Sequence, residues 1–156
     1  MGAKEKSMSS ENDLIKLYSD RILKLATELA SPSRLQKPDA SVKKRSPLCG
    51  SAVTVELKVQ DGLISEFSQD VKACALGQAS ASVLGKVAID CTLDDIQSAH
   101  DSLEDMLKNG GKAPRFPFEE MEILRPAKDF KNRHASIMLS LEAALEAMKQ
   151  ASNKGK

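Results

Sequence analysis

The sequence is poor in aromatic residues: its 156 residues include one Tyr, four Phe and no Trp. Proteins that bind single-stranded nucleic acids stack the bases on aromatic side chains, and this chain offers too few of them. Positive charge is not in excess either, because 23 Lys and Arg stand against 22 Asp and Glu. Nucleic-acid binders concentrate Lys and Arg on one face. The composition therefore disfavours a nucleic-acid partner.

Long apolar runs are also missing. No segment approaches the roughly 20 consecutive apolar residues that a membrane helix needs, and no charged segment followed by an apolar stretch opens the chain. We therefore expect a soluble protein that neither enters a membrane nor is exported. The three cysteines, Cys49, Cys74 and Cys91, are an odd number without the spacing of a disulfide framework. Free thiols are typical of a reducing compartment, so the expected localisation is cytoplasmic.

The length and the ordinary apolar fraction of 41% predict one folded domain. Both ends of the chain are polar and offer little to a core, so we expect residues 1–11 and 151–156 to be flexible and residues 12–150 to form the domain. Apolar residues at intervals of three and four predict a first helix from Asn12 to the Ser31-Pro32 pair. Residues 31–47, rich in Ser, Pro and Lys, are expected to be a connecting loop.

Strict alternation of apolar and polar residues over residues 53–59 predicts a β-strand. Asp61-Gly62 follows, and this pair tolerates the positive φ of a tight turn, so residues 63–71 should return as an antiparallel strand. Cys49 precedes the first of these strands and Cys74 follows the second. A hairpin therefore brings both cysteines to one end of the sheet.

Three further helices are predicted. Residues 75–87, dense in Ala, Ser and Gly, should form a helix with Cys74 at its N-terminus, where unpaired N–H groups favour a thiolate. A capping-box pattern at Thr92 begins the next helix, which ends at Asn109-Gly110-Gly111. The last helix should span residues 132–149, with His134 in its first turn.

Few residues are candidates for chemistry. We expect Cys91 to be a buried, inert thiol and His100 to have a structural or solvated role, because neither has companion ligands at a suitable spacing. Cys49, Cys74 and His134, if they converge, would form a site for zinc or part of one for an iron–sulfur centre. The two cysteines are equally open to a structural role, and His134 to a capping role. No phosphate-binding loop or nucleophile elbow is present.

Three motifs resemble one known family. They are Pro47-Leu48-Cys49-Gly50-Ser51 before the alternating strand, the segment 72–82 around Cys74, and Arg133-His134-Ala135-Ser136-Ile137 at the last helix. In this order they resemble the NifU-like family of iron–sulfur cluster assembly proteins, which includes the IscU and SufU branches. The resemblance implies an α+β fold in which a small three-stranded antiparallel sheet is covered on one side by helices. It also implies that the protein receives sulfur from a cysteine desulfurase.

The family builds or holds a nascent [2Fe–2S] cluster, or binds zinc, at a site made from three cysteines, an Asp and sometimes a His. The resemblance implies that Cys49 and Cys74 take the first two cysteine positions and that His134 takes the histidine position. The Asp is replaced by Ser51 and the third cysteine by Ala135. What remains is a Cys₂His set with an open fourth position, a pattern typical of exchangeable metal sites.

Three hypotheses about function follow from the resemblance. The first is a scaffold or carrier that binds iron, zinc or a labile [2Fe–2S] cluster through Cys49, Cys74 and His134 and serves apo iron–sulfur acceptor proteins. The second is zinc-dependent sulfur transfer, in which Cys74 is the catalytic thiol that accepts persulfide sulfur from the desulfurase. The third is a degenerate relative that acts as an interaction module without metal.

Overall fold

The computed structural model describes residues 18–47 and 50–154 of the chain. These residues form four α-helices, three strands and one 3₁₀ helix. In chain order they are α1 (Asp20–Thr27), β1 (Ala40–Arg45), β2 (Ala52–Gln60), β3 (Leu63–Lys72), α2 (Ala75–Val87), α3 (Leu93–Asn109), the 3₁₀ helix (Glu119–Asp129) and α4 (Lys131–Lys154). The fold class is α+β, as the sequence and the resemblance predicted.

The predicted hairpin is confirmed as β2 and β3, which pair antiparallel from Ala52 with Lys72 to Gln60 with Leu63. Asp61 and Gly62 form the turn with φ values of 55° and 80°. This left-handed conformation is why the Asp-Gly pair is a reliable turn signal. Of the alternating apolar residues of β2, Val53, Val55 and Leu57 are buried in the core and Val59 packs against it partly buried. The hairpin brings the start of β2 and the end of β3 to the same end of the sheet.

The prediction of a loop over residues 31–47 is wrong for its last part, because β1 lies there. This strand pairs antiparallel with β2, which is thereby the central strand of the order β1-β2-β3. Only Ala40 and Val42 of β1 are buried, and the strand ends in Lys43-Lys44-Arg45. Charged side chains are common on edge strands, where they discourage pairing with other chains. With only two buried positions, the alternation of apolar and polar residues is too short to indicate a strand in the sequence.

Helix α4 lies against β1 and β2 and also contacts α2 and α3, so it is the element around which the core is organised. Its buried residues include Ile137, Leu141 and Ala144, which belong to the same apolar cluster as the inward side chains of β2. The helix continues to Lys154, past the end expected near residue 149, and Ala151 is buried. None of the helices within the described ranges is long and apolar enough to cross a membrane.

Local sequence signals set the ends of α2 and α3. Helix α2 spans the residues that were predicted, with Cys74 as its N-cap. At α3 the predicted capping box is present: Asp95 N–H donates to Thr92 Oγ1 at 3.1 Å, and Thr92 N–H donates to Asp95 Oδ2 at 2.9 Å. Gly110 ends α3 in the left-handed conformation with φ 72°.

The capping box gives a test of this fold. Thr92→Ala removes the acceptor for one of the unpaired N–H groups at the start of α3, and we expect the free energy of unfolding to fall by about 1 kcal/mol. Chemical denaturation measures this change. The matched control is Ser102→Ala within the same helix, which we expect to be neutral or slightly stabilising because Ala is the better helix former. Equal effects of the two substitutions would contradict the capping role.

Candidate functional site

Cys74 lies where β3 passes into α2, with only Ala73 between the strand and this N-cap residue. Its side chain makes no capping hydrogen bond. Instead the Cys74 Sγ atom lies 3.5 Å from the hydroxyl oxygen of Ser136 in α4. The thiol is half-buried and belongs to the surface of the core. It therefore faces α4 while remaining accessible from one side.

Ser136 connects Cys74 to the start of the central strand. The Ser136 hydroxyl oxygen lies 3.1 Å from that of Ser51, which directly precedes β2. Ser136 and Ser51 are only 2% and 4% exposed. Three parts of the fold, namely the start of β2, the N-terminus of α2 and the first turns of α4, thus meet at a chain of two hydroxyls and one thiol.

Gly77 allows this meeting. A Cβ atom at position 77 would lie 2.6 Å from the Ser136 Oγ atom and 2.8 Å from the Cβ atom of Ala73. Such distances are far inside van der Waals contact, so any side chain here would push α4 or the Ser136 hydroxyl away. The glycine lets the first turn of α2 approach α4 closely enough for the Cys74 contact.

His134 is held by the 3₁₀ helix that precedes α4. Its Nε2 atom lies 2.8 Å from the carbonyl oxygen of Ala127 and 3.1 Å from that of Lys128. Carbonyl oxygens only accept hydrogen bonds, so this Nε2 carries the proton and donates it to them. In the neutral ring the other nitrogen, Nδ1, then keeps a free lone pair. The two carbonyls therefore fix the orientation and the tautomer of the imidazole.

Cys49 lies outside the described residues, but the chain on both sides of it is placed. Ser46 N–H donates to the carbonyl of Ser51 at 2.9 Å, and Gly50 N–H donates to the carbonyl of Ser46 at 2.9 Å. Arg45 and Ala52 are partners at the end of the β1–β2 ladder, and Ala52 pairs with Lys72 on β3. The residue that follows Cys49 is therefore anchored at the sheet end from which β3 leads to Cys74.

Within residues 18–47 and 50–154, no group of three or more His, Cys, Asp or Glu residues is arranged to hold a metal ion. The hydrogen-bond partner of the Cys74 thiol is Ser136, and the partners of the His134 imidazole are Ala127 and Lys128. Because Cys49 is not described, convergence of Cys49, Cys74 and His134 stays a prediction.

The comparisons with known proteins agree with this architecture. Residues 17–137 match the family model described as NifU-like N terminal domain. The chain belongs to the NifU-like family. Its members are scaffolds of iron–sulfur cluster assembly.

Three relatives document the match. The crystal structure of a nitrogen-fixing NifU-like protein (N-terminal) from Brucella abortus has 41% sequence identity to this chain and a TM-score of 0.88. The match covers 91% of this chain and 99% of that one. The iron–sulfur cluster assembly scaffold protein IscU of Thermotoga maritima is 24% identical over 136 residues, which cover 87% of this chain and 95% of IscU. A putative SUF-system scaffold, SufU of Fervidobacterium islandicum AW-1, shares the fold at 18% identity and a TM-score of 0.75, with coverage of 86% and 98%.

Ser136 is the site residue that sequence reasoning missed. It lies in the NifU-like motif at the start of the last helix. Its hydroxyl side chain within that motif was the sequence feature that could have indicated a role in the site. Its neighbours Ala135 and His134 occupy the ligand positions of the family pattern, whereas Ser136 does not. Successive helical residues point in different directions, so the contact of Ser136 with Cys74 depends on how α4 is rotated against α2.

The remaining candidates have the structural roles that were predicted. Cys91 is buried, and its thiol donates to the carbonyl of Val87 at 3.1 Å. Burial, together with the negative charges of Asp95 and Asp90, raises the pKa of the Cys91 thiol to about 11. His100 Nδ1 lies 3.0 Å from the Asp101 carboxylate, and this hydrogen bond lowers the pKa of Asp101.

These environments predict selective reactivity of the described thiols. At pH 8 Cys91 is protonated and shielded, so iodoacetamide should modify Cys74 at least about tenfold faster than Cys91 in the folded protein. Mass spectrometry can follow the cysteines separately, because cleavage after Lys and Arg places them on different peptides. The control is the same reaction in denaturant, where the two rates should converge. Equal rates in the folded protein would contradict the burial of Cys91.

Proposed function

We propose that this chain is a scaffold or carrier in iron–sulfur cluster assembly that holds iron or a labile [2Fe–2S] cluster as cargo through Cys49, Cys74 and His134. The observation that carries the proposal is the orientation of His134 by the carbonyls of Ala127 and Lys128. Histidines that bind metals usually donate their other ring N–H to a carbonyl or carboxylate, which fixes the tautomer and the ring. His134 makes such contacts through Nε2, which would leave Nδ1 as the binding atom.

The donor set suits soft metals. Thiolate and imidazole ligands select iron–sulfur centres and zinc, so Cys49, Cys74 and His134 would supply three suitable donors. The hydroxyl of Ser51 and the methyl of Ala135 do not replace the Asp and Cys found in the family pattern. The fourth ligand would then come from a small thiol or a partner protein. An incomplete protein ligand set favours release of the cargo over permanent storage.

Partners and compartment follow from membership of the family. A scaffold needs a sulfur source and recipients, so we include in the proposal a cysteine desulfurase, apo iron–sulfur acceptor proteins and a cytoplasmic location. Among the relatives, IscU of Thermotoga maritima is named a cluster assembly scaffold and the Fervidobacterium protein a putative scaffold for the SUF system. Zinc is the alternative metal for the same three residues.

Metal content tests the proposal. After anaerobic purification and incubation with ferrous iron and sulfide, we expect the wild type to retain iron and the variants Cys49→Ala, Cys74→Ala and His134→Ala to lose most of it. Each substitution removes one of three protein donors, and loss of one ligand leaves too few for stable binding. Elemental analysis for iron and zinc, with the visible spectrum of the cluster, measures the result.

The control for His134→Ala is His100→Ala. His100 is paired with Asp101, so its substitution should leave the metal content unchanged.

The double variant Ser51→Asp with Ala135→Cys restores the family's ligand types and should retain more iron than the wild type. Equal and negligible metal in the wild type and all three ligand variants would end the carrier proposal.

Sulfur acceptance by Cys74 is a second candidate, favoured by a separate observation. The thiol sits at the N-terminus of the 13-residue helix α2 and is accessible from one side. The thiolate is the form of cysteine that attacks sulfur, and an accessible thiol can meet a persulfide carried by another protein. The Cys74 thiolate would attack the outer sulfur of a persulfide on the desulfurase. A new S–S bond forms as the old one breaks, the desulfurase thiolate leaves, and the proton stays on the transferred sulfur.

Desulfurase turnover tests this candidate. We expect the wild type to stimulate release of alanine from cysteine and to carry a persulfide on Cys74, because Cys74 relieves the desulfurase of its sulfur. Cys74→Ser should abolish both effects, whereas Cys91→Ser, at a buried thiol, should retain them if the variant folds. A turnover assay and mass spectrometry of the Cys74 peptide give the two readouts. No stimulation together with no persulfide would exclude sulfur transfer.

A protein that fails both experiments would fit the third hypothesis, an interaction module of the family without metal or sulfur.

A further inference from the structure

We propose that the cavity beside His134 binds a small aminothiol, whose sulfur completes the ligand set around the metal cargo. The inference rests on the proposed function, in which Cys49, Cys74 and His134 supply three donors. A tetrahedral site takes four ligands, so one position is left for a molecule from outside the chain. A thiol suits this position because thiolate sulfur prefers the same soft metals as the donors of the protein.

The cavity lies between α3 and α4 and has a volume of about 190 Å³. His134 and Ala135 line it from the first turns of α4. Ala127 and Lys128, whose carbonyls contact His134 Nε2, are not among the lining residues, so the cavity lies on another side of His134. Since Ala135 carries only a methyl group, an external molecule has room to enter next to a candidate metal ligand.

The size and the walls of the cavity fit a short ligand with an apolar middle. Liquid water occupies about 30 Å³ per molecule, so the cavity has room for about six waters or for one ligand with few non-hydrogen atoms. Leu107 of α3 and Met138 of α4 form apolar walls, and both belong to the core. The methylene groups of a short thiol can pack against these two side chains.

The charges around the cavity favour an ammonium group on the ligand. The carboxylates of Glu104 and Glu142 line the cavity together with a single ammonium, that of Lys108. Lys108 Nζ lies 3.7 Å from Glu104 Oε2, so these two charges offset each other. Glu142 is half-buried and makes no ion pair with any described residue. Water screens a half-buried charge less than a fully solvated one, and Glu142 is therefore the carboxylate that attracts the ligand.

The spacing along α4 places the two ends of the ligand. His134, Met138 and Glu142 are four residues apart, so they share one face of the helix. The rise of an α-helix separates His134 from Glu142 by about 12 Å along the axis. Side chains of a helix lean toward its N-terminus, which brings the Glu142 carboxylate toward His134. The remaining distance suits a short aminothiol with its sulfur at the His134 end and its ammonium at Glu142.

Binding of the aminothiol is a coordination step without oxidation or reduction. The thiol releases its proton to solvent, and the resulting thiolate donates an electron pair to the metal. The ammonium group keeps its proton beside Glu142. When the aminothiol leaves, the metal is again held by three protein donors. The concentration of free aminothiol would thus regulate how firmly the cargo is held.

The test uses cobalt(II), whose near-ultraviolet charge-transfer absorption rises with the number of bound thiolates. Metal-free full-length protein receives one equivalent of cobalt(II) under anaerobic conditions. Cysteamine, 2-mercaptoethanol or 3-mercaptopropionate is then titrated in. These thiols are similar in size and end in an ammonium, a hydroxyl and a carboxylate, respectively. We expect cysteamine to half-saturate the absorption change at the lowest concentration.

Free thiols differ in acidity, so the decisive comparison is between protein variants. Glu142→Gln should raise the half-saturating concentration of cysteamine by about fivefold, the effect of losing a partly exposed ion pair, and should leave that of 2-mercaptoethanol unchanged. The matched control is Glu146→Gln, one turn further along α4. Glu146 is paired with Lys44 at 3.0 Å and does not line the cavity, so this variant should behave as the wild type.

A second variant tests the space rather than the charge. Ala135→Leu places a branched side chain in the cavity and should remove the response to all three thiols, while Cys49, Cys74 and His134 still bind cobalt(II).

An equal response to cysteamine in the wild type, Glu142→Gln and Ala135→Leu would overturn the inference and leave the proposed metal binding intact. Equal losses in Glu142→Gln and Glu146→Gln would also overturn it, because a general effect of charge would then explain the preference. A wild type that binds no cobalt(II) with or without thiol would refute both the inference and the proposed carrier function.

Discussion

The close approach of α2 to α4 is the constraint on which the candidate site depends. It exists because position 77 has no side chain, so the first turn of α2 can lie against Ser136. The contact fixes the Cys74 thiol at 3.5 Å from the Ser136 hydroxyl, and through Ser136 it connects the thiol to the start of the central strand. A side chain at position 77 would force Ser136 or the start of α2 to shift, and the contact between Cys74 and Ser136 would be disturbed.

Two cysteines of this chain show how environment decides the chemistry of a thiol. Cys91 is buried beside Val87, and burial together with two nearby carboxylates keeps it protonated. Cys74 lies half-buried at a helix N-terminus, with its sulfur 3.5 Å from the Ser136 hydroxyl oxygen. The burial of Cys91 could be predicted from the sequence, because this residue directly precedes Thr92, the N-cap of α3. The position of Cys74 at a helix N-terminus could also be predicted, since local sequence patterns indicate both the hairpin before it and the helix after it.

The parts of the fold that follow from short-range interactions could be predicted from the sequence, and the others could not. The Asp61-Gly62 turn and the Thr92 capping box depend on residues close together in the chain, and both are present as expected. Strand β1 was missed because its burial pattern has two apolar positions and its stability comes from pairing with β2. Ser136 was missed for a related reason: the direction of its side chain is set by packing between helices distant in sequence.

The two substituted ligand positions have different physical consequences. Ala135 removes a donor and adds nothing, whereas Ser51 replaces a carboxylate with a neutral hydroxyl that is buried against Ser136. An Asp at position 51 would bring a negative charge next to the Cys74 thiol, which would oppose a thiolate unless a cation lay between them. A serine there is compatible with a charged sulfur in the absence of metal. Under the proposed function, the hydroxyl of Ser51 places no negative charge near Cys74, and the missing donors would make a bound cluster easier to release.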